Sequence, residues 1–151
     1  MKENQQNKNR NLGLRRPAVL AWLHLMRISH RVQQATAAEL NAFGLTNAQF
    51  DVLTQIGAAE GISQLDLARR LFVTQGNVTQ LIDKMEARGW IKRVPEGRTK
   101  RLYLTPAGRQ IFDQIVPVHQ DFIVEQFGGL SLGEQRQLLR LLAKLDRAQR
   151  S

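Results

Sequence analysis

The stretch from Ser63 to Thr105 constrains the fold of this chain more than any other part of it. Its pattern predicts two short helices, a basic β-hairpin and the cap of a further helix. Within it, residues 74–88 (TQGNVTQLIDKMEAR) carry apolar side chains at helical spacing, which predicts a helix with one buried face. The apolar side chains of that face are Val78, Leu81, Ile82 and Met85.

The other face of this helix is small, neutral and rich in hydrogen-bonding groups. Such a face suits the DNA major groove, because Gln and Asn pair with adenine through two hydrogen bonds and Thr accommodates several bases. The alternative is an ordinary amphipathic helix with a solvated polar side, and the helix taken by itself favours that alternative. The residues of this face and its amino end are Gln75, Gly76, Asn77, Thr79, Gln80 and Lys84.

Cap and turn residues set the boundaries around this helix. Ser63 and Asp66 predict the start of the preceding short helix, whose buried side we expect to contain Leu65, Leu67, Ala68 and Leu71. Thr74 caps the next helix after only a few residues, as a helix-turn-helix requires. Gly89 ends it, and two strands follow at residues 90–94 and 100–104, with a predicted turn over residues 95–99.

Charge and composition narrow the class of partner. The 151 residues allow one domain with a real core, and 22 Lys and Arg against 13 Asp and Glu give a net charge of +9. This excess indicates a polyanionic partner, although charge alone does not separate nucleic acid from an anionic membrane. The chain has no cysteine, which excludes disulfides and thiol redox sensing. Without an apolar span or signal region, we expect a cytoplasmic protein with no membrane partner.

The flanking segments predict a tail and further helices. Residues 1–16 read as a flexible basic tail. Residues 17–44 and 106–151 predict long helices whose apolar surface exceeds what a small winged domain buries, which favours a homodimer over purely intramolecular packing. The predicted fold is therefore mainly α with a small β-hairpin (α+β). Within a single domain of residues 17–151, these dimerisation helices flank a winged helix-turn-helix lobe at residues 45–105.

Four motifs, in this order and at this spacing, resemble the MarR family of winged helix-turn-helix regulators. They are LTNAQFDVL (45–53), GISQLDLARRL (61–71), VTQGNVTQLIDKMEARGWIKR (73–93) and LYLTPAGR (102–109). The resemblance implies a homodimer with a recognition helix in the major groove and a wing in the minor groove of a palindromic operator. It also implies a repressor of a nearby operon that a small phenolic or anionic ligand releases from DNA.

The resemblance also implies roles for individual residues. Ser63 and Gln64 would meet phosphate, Glu96 would orient Arg98, and Arg98 would enter the minor groove. The wing is about two residues shorter than the common family form, which shortens its expected reach into the minor groove. The DNA-binding residues expected in this way are Ser63, Gln64, Thr74, Gln75, Asn77, Thr79, Gln80, Lys84, Glu96, Arg98, Lys100 and Arg101.

The resemblance also raises two further candidate sites. In the family the effector pocket lies between the dimerisation helices and the winged lobe, and Trp22, His24, Arg27 and His30 are expected to line it, with core or interface packing as the alternative. A zinc-responsive regulator that uses His24, His30 and His119 is an alternative function.

A weakly specific architectural DNA binder is a further alternative, against which the base-reading Gln and Asn side chains argue. No Gly-rich phosphate loop, Ser-His-Asp order or close carboxylate pair occurs, so we expect neither an enzyme nor a cofactor.

Overall fold

The computed structural model describes residues 16–150, so the predicted basic tail lies outside the described residues except for Arg16. Six helices and three short strands are found in the described part of the chain, and the mainly helical prediction is confirmed. The elements are α1 (Pro17–Asn41), α2 (Asn47–Ala58), β1 (Ile62–Ser63), α3 (Gln64–Leu71), α4 (Gln75–Ala87), β2 (Ile91–Glu96), β3 (Thr99–Leu104), α5 (Pro106–Gln126) and α6 (Leu132–Gln149).

The chain divides between Asn47 and Ala48 into two compact units. The first contains α1, a helix of 25 residues that begins at a proline suited to a first helical turn. The segment that follows folds back on the end of α1, because the Leu45 amide donates to the Leu40 carbonyl at 3.1 Å and the Asn47 side chain donates to the Gln33 carbonyl at 3.0 Å. The predicted long first helix is confirmed.

The core of the second unit lies among α2, α3, α4 and the sheet. The predicted buried stripe of α4 is confirmed for Val78, Ile82 and Met85, whereas Leu81 is only half-buried. The prediction that Leu65 belongs to the buried side of α3 is wrong, because its side chain is 40% exposed. Leu65 lies two residues from the buried Leu67, which places it about 200° around the helix axis.

Phe72 ends α3 in the left-handed region, with φ 54° and ψ 38°. A bulky residue rarely adopts this conformation, since its Cβ crowds the backbone. Its side chain is 93% exposed, so burial of the ring does not offset the strain in the backbone. This residue forms the tight turn that brings α3 directly to Thr74 and α4.

The sheet has the order β1-β3-β2 and is antiparallel throughout. The predicted five-residue turn is wrong, since pairing continues to Glu96 opposite Thr99 and leaves only Gly97 and Arg98 in the turn. Gly97 has φ +59° and Arg98 does not have a positive φ, the combination found in a type II′ hairpin turn. Pro95 lies within β2 because this is an edge strand, where a missing amide donor is tolerated.

The predicted helix caps at Thr74 and Thr105 are confirmed, and Ser131 caps α6 in the same way. Thr105 also fixes the exit of the sheet, because its hydroxyl accepts from the Gly108 amide at 3.0 Å and donates to the Gly89 carbonyl. The strand end is thereby joined to the start of α5. No helix in residues 16–150 has the length and apolar character needed to cross a membrane.

Candidate nucleic-acid interface

Helix α4 presents its polar side to solvent, as the sequence predicts. The Thr74 hydroxyl accepts from the Asn77 amide at 3.2 Å and so sets the start of the helix. Since Val78, Ile82 and Met85 turn into the core, the amide and ammonium groups are left on the outer face. The exposed polar residues of this face are Gln75, Asn77, Gln80 and Lys84.

Thr79 and Gln64 occupy the contact between α3 and α4. The Thr79 hydroxyl donates to the Gln75 carbonyl at 2.8 Å and accepts from the Gln64 side-chain amide. Both residues are half-buried. Two of the residues expected to touch DNA therefore hold the two helices together, a contact between residues 15 positions apart.

Ser63 is buried and acts as the cap of α3. Its hydroxyl accepts from the Asp66 amide at 3.1 Å and donates to the Asp66 carboxylate at 2.9 Å. The predicted cap is confirmed, and the hydroxyl is already engaged inside the protein. The side chain of Ser63 thus positions the amino end of α3.

Arg93 joins the hairpin to α4, and sequence reasoning missed this role. The guanidinium of Arg93 is ion-paired with Asp83 and, at 2.6 Å, with Glu86. It also donates to the Thr79 carbonyl at 3.4 Å. Only 15% of the Arg93 side chain is exposed, so its charge neutralises two carboxylates of α4 from the protein side. The one signal in the sequence for this role was the presence of Asp83 and Glu86 on a helix whose other polar residues suit DNA.

The hairpin of residues 91–104 is the wing. The resemblance implies that Glu96 orients Arg98, but Glu96 instead pairs with Arg101 at 2.7 Å. Glu96 lies opposite Thr99, which makes Arg101 its diagonal neighbour on the same face of the hairpin, while Arg98 lies in the turn. Arg101 also donates to the Gly61 carbonyl at 3.3 Å. Arg98 is exposed and has no hydrogen bond or ion pair within residues 16–150.

An open groove of about 500 Å³ lies between α3, α4 and the wing. It brings together residues from all three predicted DNA-binding segments, at the amino ends of both helices and at the tip of the wing. Its lining is mainly polar and includes three cationic side chains, one leucine and one carboxylate. The lining residues are Gln64, Leu65, Gln75, Thr79, Asp83, Arg93, Arg98, Thr99 and Lys100.

Three of the four residues expected to line a ligand pocket share one face of α1. His24, Arg27 and His30 surround a shallow hollow of about 410 Å³ together with Arg31. Trp22 is exposed on the same helix but does not line this hollow. The surface that these side chains turn towards the hollow is mainly apolar, and their imidazole and guanidinium groups lie around it.

His119 lies in an aromatic cluster of the second unit. Its ring centroid is 4.6 Å from that of Phe50 and 5.8 Å from that of Phe122. Nearby, burial raises the pKa of Asp51, and the charge of His119 opposes that effect. Within residues 16–150 no three His, Asp or Glu side chains are grouped as a metal site would require.

The chain matches one family model and many known proteins. The model of the MarR family matches residues 43–102. The chain is 33% identical to an uncharacterised HTH-type transcriptional regulator from Bacillus cereus, over 85% of this chain and 88% of that protein. It is also 33% identical to the multiple antibiotic resistance protein MarR of Escherichia coli, over 80% of this chain and 90% of that protein.

Solved structures agree with the sequence relatives. A mutant of Escherichia coli MarR in complex with operator DNA has a TM-score of 0.75 and 28% identity to this chain, and covers 85% of this chain and 94% of that one. The family and the fold are those of transcriptional regulators and not of enzymes. The chain belongs to the MarR family of winged helix-turn-helix, DNA-binding transcriptional regulators.

Proposed function

We propose that this protein is a cytoplasmic, homodimeric repressor of a nearby operon, which binds a palindromic operator and is released by a small phenolic or anionic ligand. Residues 17–44 and 106–151 serve as dimerisation helices, and residues 45–105 form the DNA-binding lobe. The observation that carries this proposal is the apolar surface of α6, on which no residue is buried.

That surface supports a dimer because apolar patches of this extent are rare on monomers. Leu141, Leu142 and Leu145 share one face of α6 and are 59%, 38% and 50% exposed. Further exposed apolar side chains occur on α1 and α5, among them Trp22 and Val124. A pairing of identical helices makes a two-fold axis, and a two-fold dimer matches a palindromic site.

The proposed mode of DNA binding follows from which polar side chains are exposed and able to contact DNA. Gln75, Asn77 and Gln80 present amides suited to base edges in the major groove. Arg98 at the tip of the wing suits the negative potential of the narrow minor groove. Lys84 and Lys100 are exposed cations suited to phosphate. Gln64, Thr79, Ser63, Glu96 and Arg101 act by positioning these groups.

Control by a ligand is supported by the hollow on α1, whose mainly apolar lining comes from two histidines and two arginines and suits the ring of a phenolic ligand. His24, Arg27 and His30 line this hollow, and their imidazole and guanidinium groups can donate hydrogen bonds to a carboxylate or phenolate. Salicylate is a suitable probe, since it is both phenolic and anionic. We expect it to weaken operator binding by the wild type and to have less effect on Arg27→Gln, with Lys144→Gln on α6 as the control.

The central experiment compares two DNA duplexes of equal length at one salt concentration. One carries the region upstream of the protein's own gene, and the other carries a random sequence; fluorescence anisotropy gives both dissociation constants. We expect the upstream region to bind about 10³-fold more tightly or better. A ratio near one would contradict a specific regulator and favour an architectural binder, and sedimentation at the mass of a single chain would contradict the dimer.

A further inference from the structure

Leu65 is an exposed apolar side chain within the groove between α3, α4 and the wing. It is the second residue of α3, and 40% of it is exposed. A leucine side chain has no polar group with which to cap the helix. Leu67 and Ala68 form the buried side of the same helix. Core packing therefore does not account for the exposed part of Leu65.

The polar side chains around Leu65 differ in whether they already have a hydrogen-bond or ion-pair partner inside the protein. The Thr79 hydroxyl and the Arg93 guanidinium are held by partners inside the protein. The side chains of Gln75 and Arg98 make no hydrogen bond or ion pair within the part of the chain that the structure describes. Leu65 is the one apolar residue among those that line the groove, beside an amide and a guanidinium free to bind DNA.

The chemistry of DNA restricts what such a leucine can contact favourably in the major groove. The base edges there carry hydrogen-bond donors and acceptors, and the one apolar group is the 5-methyl group of thymine. Leucine placed over a donor or acceptor would exclude water without replacing its hydrogen bond. Leucine placed over the methyl group removes two apolar surfaces from water.

We propose that Leu65 contacts the 5-methyl group of one thymine in each operator half-site, next to the base that Gln75 reads. Leu65 is then a residue that determines specificity, and it selects thymine at that position. This inference rests on the proposed function, because it needs a specific operator with α4 in the major groove.

The test uses the operator defined by footprinting, in which each thymine is replaced in turn by deoxyuridine in both half-sites. This replacement removes the methyl group and keeps the base pair. Dissociation constants are measured at one salt concentration for the wild type, Leu65→Ala and Val94→Ala. Val94 is the matched control, since it is also 40% exposed but does not line the groove.

We expect one thymine per half-site whose replacement weakens binding by the wild type and by Val94→Ala about fourfold for each methyl group. The same replacement leaves binding by Leu65→Ala unchanged, and Leu65→Met keeps the preference for thymine. Thermal unfolding of each variant checks that the fold is retained.

Two results would overturn the inference: no thymine is sensitive in the wild type, or Leu65→Ala loses affinity equally for thymine and uracil operators. The second result would indicate a contact with sugar or phosphate. Failure of the proposed function is distinct, since the wild type would then not separate the unmodified operator from random DNA.

Discussion

Arg93 on β2 and Asp83 on α4 are joined by an ion pair that links the wing to α4. Asp83 is ten positions earlier in the chain, on the outer side of a helix proposed to enter a polyanionic groove. The pair explains how carboxylates are accommodated there. Because Glu86 shares the same guanidinium, one arginine balances two negative charges.

Arg93→Met is predicted to weaken both stability and DNA binding. The free energy of unfolding falls by about 1–2 kcal/mol, a value that allows for the partial exposure of Asp83. Operator affinity falls about tenfold, because two uncompensated carboxylates then face phosphate. Chemical denaturation and fluorescence anisotropy measure the two effects.

The matched control for Arg93→Met is Arg150→Met, which removes an exposed pair with Asp146 on α6. That variant is expected to change stability by less than about 0.5 kcal/mol. Adding Asp83→Asn to Arg93→Met restores part of the operator affinity. If the double variant binds no better than the single one, electrostatic compensation is not the role of Arg93.

Arg98→Ala is predicted to weaken operator binding about tenfold, with no change in the free energy of unfolding. The guanidinium lies at the tip of the wing without an internal partner in residues 16–150, so only the complex loses an interaction. Lys144→Ala on α6 removes the same charge far along the chain from the wing and serves as the control. Equal affinities of Arg98→Ala and the wild type would mean that the short wing does not reach the minor groove.

Phe72→Gly is predicted to raise the free energy of unfolding by about 1 kcal/mol. Glycine adopts the left-handed conformation of this position without the steric penalty, and the exposed ring contributes no burial. Phe72→Ala keeps the Cβ atom and removes only the ring, so it should leave stability nearly unchanged. A loss of stability in Phe72→Gly would show that the ring has a partner in solution.

The double variant Leu141→Glu/Leu145→Glu is predicted to convert the dimer into monomers. Both side chains are exposed in the single chain, so the charges disturb an interface without disturbing a core. Sedimentation velocity measures the state of assembly, and circular dichroism checks that helix content is kept. Gln137→Glu on the same helix is the control, and a double variant that remains dimeric would place the interface elsewhere.

The helices and their ends were predictable because the signals are local. Apolar spacing defined the buried stripe of α4, and Thr74, Thr105 and Ser131 capped helices as their neighbours in sequence require. The turn was misjudged because Pro95 is a turn residue by composition, and only the sheet order shows that its strand lies at an edge.

The candidate site was only partly predictable, since its hydrogen bonds and ion pairs depend on how the helices and strands pack against one another. Which polar residues of α4 face outward followed from helix periodicity alone. The contact of Gln64 with Thr79 and that of Arg93 with Asp83 join residues that no sequence pattern pairs. The exposure of Leu65 was missed although helix periodicity predicts it, because Leu65 lies about 200° around α3 from the buried Leu67.

The two-residue turn at Gly97 and Arg98 determines how the reach of the wing can vary among proteins of this shape. Since successive strand residues face opposite sides, inserting one residue would turn every later side chain of the wing over. Inserting a facing pair beyond Glu96 and Thr99 would extend the hairpin by one step and leave the remaining register intact. Wing length therefore changes in increments of two residues, and Arg98 is carried outward as an intact tip.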